Sequence, residues 1–109
     1  MAKQLQKARK SQKDPSEQLV AISKAYWKFA FDHMKYYQIM FGLGIPTCEM
    51  ISSIDEMKKV SDVMLISIDL VIKSGKNPEA DSMLKLGTFW SILHGLVAIE
   101  MISVNNDYE

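Results

Sequence analysis

Two histidines, one cysteine and a run of aromatic residues are the side chains in this 109-residue chain with the means to do chemistry. His33 and His94 stand far apart, one next to Asp32 and the other near Glu100. Neither lies in an H-x3-H or C-x2-C arrangement, so no metal site is expected. Cys48 follows Pro46 and Thr47 at a helix start, where a thiol pKa could be depressed. A lone cysteine is more commonly a small apolar residue and is read so here. It cannot close an internal disulfide, which points to a reducing compartment, and a cytoplasmic location is expected. Gly42-Leu43-Gly44 lacks the rest of a phosphate-binding fingerprint and the strand that would precede it. No serine sits in a nucleophile elbow, and no carboxylate pair stands out as buried. The chain therefore reads as a non-enzyme with no catalytic residues and no cofactor.

The aromatic and methionine residues are more informative. Tyr26, Trp27, Tyr36, Tyr37, Met40 and Phe41 crowd one short region with His33. Trp90 and His94 are four apart, so they share a helix face, and Gly95 beside them permits close approach of another helix. Such residues are ordinary core material. Together they also describe a mostly apolar cavity with a few polar handles. Eight methionines add adaptable thioether surface.

The elements that must position these groups are all helical. Asp14-Pro15-Ser16-Glu17 is a helix start, with Asp14 as cap and Pro15 at the first position. Leu19, Ile22, Tyr26, Phe29 and His33 then form one face. Val20, Trp27, Phe31 and Met34 make a second, and this helix should end near Asp32 or His33. A short helix over Lys35–Phe41 follows, stopped by Gly42, Gly44 and Pro46. A third should run from Thr47 to Ser74 on Ile51, Ile54, Met57, Ser61, Met64, Leu65, Ile68 and Ile72. Its length predicts a kink or break near the start. The last is predicted over Pro78–Ser103, capped by Asn77, with Met83, Leu86, Trp90, Leu93, Val97 and Met101 on one face. Leu84, Ile92, Leu96 and Ile99 form an apolar flank. The fold class is thus all-α, an antiparallel bundle of four to five helices.

Charge divides the chain. Residues 1–13 hold Lys3, Lys7, Arg9, Lys10 and Lys13 and no acid, so the rest of this net-neutral chain is acidic. The start is read as a solvated basic lead-in or linker, and residues 14–109 as the folded domain. A neutral body is a poor match for a nucleic-acid backbone, and no DNA contact is expected from this chain alone. The longest uncharged stretch, Leu86–Ile99, is short of the roughly 20 residues a membrane span needs, so no membrane role is expected.

Two blocks carry a family resemblance. Trp90, His94 and Gly95, within Gly87–Val97, fit a W-x3-H-G signature. Some 50 residues upstream, Ala25-Tyr26-Trp27-Lys28-Phe29-Ala30 and the stretch from Asp32 to Met40-Phe41-Gly42 fit a "Y-x-x-F-A, then L/I-M-F-G" pattern. In this order they resemble the WHG-type C-terminal effector domain of TetR-type transcriptional regulators, over roughly residues 15–104. The helix-turn-helix part that precedes such domains is not seen in this sequence. The further helix that usually follows is not seen either, which puts the usual dimer geometry in doubt.

The resemblance implies a homodimer that senses a small apolar or amphipathic effector. Pocket candidates are Tyr26, Trp27, His33, Tyr37 and Met40, with Phe41, Met57, Met64, Trp90 and His94. Dimer-interface candidates are Leu86, Phe89, Leu93, Gly95, Leu96, Val97 and Met101. The expected pocket is internal, bounded by helices 15–33, 47–74 and the last. The alternative is a purely structural helical dimerisation module without ligand.

Overall fold

Helix starts and stops follow local chemistry where the sequence supplies it. In the computed structural model, which describes residues 1–41, 48–77 and 79–106 (with side chains for 1–41, 55–77 and 79–103), five helices appear in order. They are α1 (Ala2–Lys10), α2 (Pro15–Asp32), α3 (Met34–Phe41), α4 (Cys48–Ser74) and α5 (Ser82–Asn106). Among the described residues there is no strand. Gly42, Gly44, Pro46, Thr47 and Pro78, and the side chains of Cys48, Ile51 and Ile54, lie outside the described residues.

Asp14 caps α2, its Oδ2 accepting from the Glu17 amide at 3.1 Å, and Pro15 opens the helix. Asp32 is the last residue of α2, and His33 leaves helical geometry at φ −133°, ψ 52° before α3 begins. The long α4 runs unbroken over 27 residues, so the expected break near its start is not seen. At about 1.5 Å per residue it is some 40 Å long, close to the 47 Å longest dimension of the molecule. The last helix begins later than Asn77-Pro78 predicts. Asp81 is the true cap, with its Oδ1 accepting from the amides of Met83 and Leu84 at 3.0 and 3.3 Å. Asn77 instead closes a turn, its carbonyl accepting from the Ala80 amide at 3.1 Å.

The core gathers Ile22, Tyr26, Phe29 and Ala30 of α2, Tyr37 and Met40 of α3, Val60, Val63, Met64 and Ile68 of α4, and Leu86, Leu93, Val97 and Met101 of α5. Helix α2 packs on α4 and α5, and α4 on α3 and α5. One polar pair is buried among them: Ser67 donates to Gln18 Oε1 at 2.8 Å, and Gln18 donates to the Gln12 carbonyl at 3.0 Å. With both groups satisfied, the desolvation that an unpaired amide would suffer is avoided.

The basic start is a helix, but not a solvated one. Leu5 is fully buried, and Met1 and Ala2 are nearly so. Burying a leucine contributes about 2 kcal/mol, enough to dock α1 on α2 and α4. Glu56 reinforces the dock by accepting from the Ala2 amide at 2.6 Å and pairing with the Met1 ammonium at 3.0 Å. Partial burial pushes the Glu56 carboxyl up, but these two partners and Lys59 outweigh it and hold the carboxyl below its usual range. Lys3, Lys7 and Lys10 stay exposed along the groove that α1 forms with Lys59, Asp62, Val63 and Ile66 of α4.

Candidate functional site

Three helices bring their polar aromatic groups to one place. Tyr26 on α2 is fully buried and Tyr37 on α3 is 2% exposed. Their hydroxyls share a hydrogen bond of 2.6 Å, and their rings meet edge to face with centroids 5.7 Å apart. Trp90 on α5 donates from Nε1 to the Tyr26 hydroxyl at 3.1 Å. One turn later on α5, His94 Nδ1 shares a 2.6 Å hydrogen bond with the Tyr37 hydroxyl. Phe41, at the end of α3, lies against Trp90 and His94 with ring centroids 6.0 and 4.9 Å away.

Burial raises both phenol pKa values above their ordinary range. For Tyr26 the bonds from Tyr37 and Trp90 offset part of the rise, whereas for Tyr37 the bond to Tyr26 adds to it. Both phenols therefore stay protonated at ordinary pH. The sequence pairs Trp90 with His94 on one helix face. The structure gives His94 the Tyr37 hydroxyl as its partner, and the two tyrosines join what the helix face alone could not.

Two clefts open to solvent on either side of Phe41 and His94. One, of about 260 Å³, is lined by Phe41, Met57, Gly87, Trp90, Ser91 and His94. The other, of about 330 Å³, is lined by Tyr37, Gln38, Phe41, His94, Ala98, Met101 and Ile102. Among the described residues neither has a charged lining. Ile22 and Tyr26 of α2 and Met64 of α4, which border the expected internal pocket, are fully buried. The clefts lie between α3, α4 and α5 instead.

Of the pocket candidates, Tyr26, Tyr37, Phe41, Trp90 and His94 come together, and Met57 borders one cleft. Met40 and Met64 are buried core residues. Trp27 is 39% exposed and packs on Phe31, away from the cluster. His33 is exposed and stacks on Phe29 at 4.7 Å. Trp27 lies off the Ile22–Tyr26–Phe29 face of α2, and His33 follows the last residue of that helix, where the backbone has left helical geometry. Among the described residues no three His, Cys, Asp or Glu side chains gather as a metal site would require.

The dimer candidates need a larger correction. Leu86, Leu93, Val97 and Met101 are 4%, 9%, 0% and 5% exposed, so they face the chain's own core. Phe89 packs against that core from its edge. The outward face is the flank: Leu84, Ile92, Leu96, Ile99 and Ile102 are each more than half exposed. Gly95 lies at its centre, and a Cβ added there would meet nothing within 4 Å. Gly95 is therefore not at a helix crossing within the chain. With both faces apolar, Ser82–Ser103 is long and apolar enough by length and composition to cross a membrane, although Lys85 and Glu100 interrupt it.

A family model described as the tetracyclin repressor-like C-terminal domain matches residues 19–103. Neither the curated proteins nor the solved structures gave a match.

Proposed function

From the premise that the chain belongs to the tetracyclin repressor-like C-terminal domain family, we propose that it is the small-molecule-sensing and dimerisation part of a TetR-type regulator, with DNA read outside residues 1–109. The observation that carries this is the double use of α5. Its inner side supplies Trp90 and His94 to the clefts, and its outer side offers an exposed apolar stripe centred on Gly95. So large an apolar stripe is a mark of an association surface. A bare glycine at its centre suits close approach of a second helix. One rigid helix thus touches both a guest molecule and a partner subunit. A guest that fits one dimer arrangement better than another shifts their populations by that difference in affinity.

The alternative, a structural dimerisation module without ligand, draws on the openness of both clefts. Two measurements separate the readings. Sedimentation equilibrium should give a dimer that becomes monomeric in Leu96→Asp, and a monomer at high concentration for the parent chain would remove the dimer. Thermal scans with a panel of apolar compounds should raise the melting temperature, since binding to the folded state alone must stabilise it. A dimer with no shift from any compound leaves the purely structural module standing.

A further inference from the structure

The hydrogen-bond network that ends at His94 has a direction, and the direction specifies what a guest must carry. An indole N–H is a donor only, so Trp90 must give its proton to the Tyr26 oxygen. Tyr26 then has one proton of its own to place, and the hydroxyl oxygen of Tyr37 lies 2.6 Å away. Tyr37, having accepted there, places its proton on His94 Nδ1 at 2.6 Å. The reverse order would leave the fully buried Tyr26 with a proton and no acceptor, which costs free energy in a buried site. Nδ1 is thereby an acceptor, and in the neutral ring the proton resides on Nε2. Among the described residues Nε2 has no hydrogen-bond partner, and His94 borders both clefts.

Resting on the sensing role proposed above, we infer that the guest of the Phe41–Met57–Gly87–Trp90–His94 cleft is a neutral, apolar molecule of one or two fused rings bearing one acceptor oxygen, such as an aryl ketone, bound by His94 Nε2–H. Apolar, aromatic-compatible character follows from the walls: Phe41, Trp90 and Met57 contribute two aromatic side chains and a thioether. Size follows from the volume of about 260 Å³, which suits one or two fused rings. Neutrality follows from the lining, which among the described residues offers no Lys or Arg to pair with a carboxylate and so gives an anion no gain over water. Gly87 forms part of the floor, and a Cβ added there meets nothing within 4 Å. A larger side chain at this position fills the cleft without entering the core.

Three probes of one size test this: 1-tetralone, its oxygen-free analogue tetralin, and 1-naphthoate. Binding is read from Trp90 fluorescence in a Trp27→Phe background, and the His94 tautomer from long-range proton–nitrogen NMR of the ring. Expected are the Nε2–H tautomer in the free protein and tetralone binding at least tenfold tighter than tetralin, with naphthoate weakest. His94→Phe should bring tetralone down to the tetralin level, and Gly87→Leu should abolish binding of all three while leaving the melting temperature unlowered. Equal binding of tetralone and tetralin, a preference that survives His94→Phe, naphthoate as the tightest probe, or an Nδ1–H tautomer each overturn the assignment of the guest while the cleft stands as a site. Binding of none of the three, or binding that ignores Gly87→Leu, overturns the cleft itself and with it the sensing role.

Discussion

The inner and outer faces of α5 are made of the same residue types and meet opposite fates. Leu86, Leu93, Val97 and Met101 are buried, whereas Leu84, Ile92, Leu96 and Ile99 stand in solvent. Hydrophobic periodicity finds a core face by contrast with a polar one. On α5 that contrast is missing, so a pattern reading has no means to choose between them. What chooses is the rest of the chain: α2 and α4 can cover only one side. The other side is left exposed, and on the reading proposed above it is the dimerisation face.

Neighbouring residues give the sharpest way to break this comparison. Val97 is fully buried and Leu96 is 53% exposed. Val97→Asp places an unpaired carboxylate in the core and should cost more than about 4 kcal/mol, leaving no cooperative urea transition. Leu96→Asp should keep a folded chain with a normal helical circular-dichroism spectrum and lose only self-association. If both variants unfold, the two faces are not distinct in the way described.

The aromatic network gives the next effect. Tyr37→Phe removes the hydroxyl between Tyr26 and His94 and strands a buried proton and a ring nitrogen. A loss of about 1–3 kcal/mol is expected by urea denaturation. The same network sets the alkaline limit of stability. Both phenols have folded-state pKa values above their unfolded ones. Their contribution is complete below the unfolded pKa near 10 and is lost as pH rises toward the folded values, by at most about 1.4 kcal/mol per pH unit for each tyrosine. Denaturation midpoints measured from pH 9 upward should fall, and less steeply in Tyr37→Phe. The smallest effects belong to the glycines. Gly87→Ala and Gly95→Ala should each raise monomer stability by about 0.5–1 kcal/mol, because alanine favours the helix and both sites have room. Only Gly95→Ala should weaken dimerisation, which ties the open space at that residue to a partner.

Local signals read from the sequence held where the causes were local. Asp14 and Pro15 start a helix by hydrogen bonding and ring geometry, both of which act within four residues. The short helix expected over Lys35–Phe41 is found at Met34–Phe41, set off from α2 by the His33 corner. Asn77-Pro78 misled because Asp81 offers a competing cap nearby. Two matters lay beyond reach. The docking of α1 hangs on Leu5 and on Glu56, which is 54 positions from its bonding partner Ala2. The Tyr26–Tyr37–His94 network joins residues up to 64 positions apart once Trp90 is counted. The sequence named all four as candidates, but not their linkage, because neither helix period nor spacing relates residues on separate helices.

The break at His33 has a mechanical consequence. Were α2 and α3 one straight rod, Tyr26 and Tyr37 would sit three turns apart on the same side, some 16 Å along the axis. Their oxygens meet only because the rod folds back on itself at that corner. The contact is therefore a clasp that exists while the corner is shut and vanishes when it opens. Its shared proton, sheltered from exchange, should give a downfield resonance whose intensity gauges how often the bundle gapes.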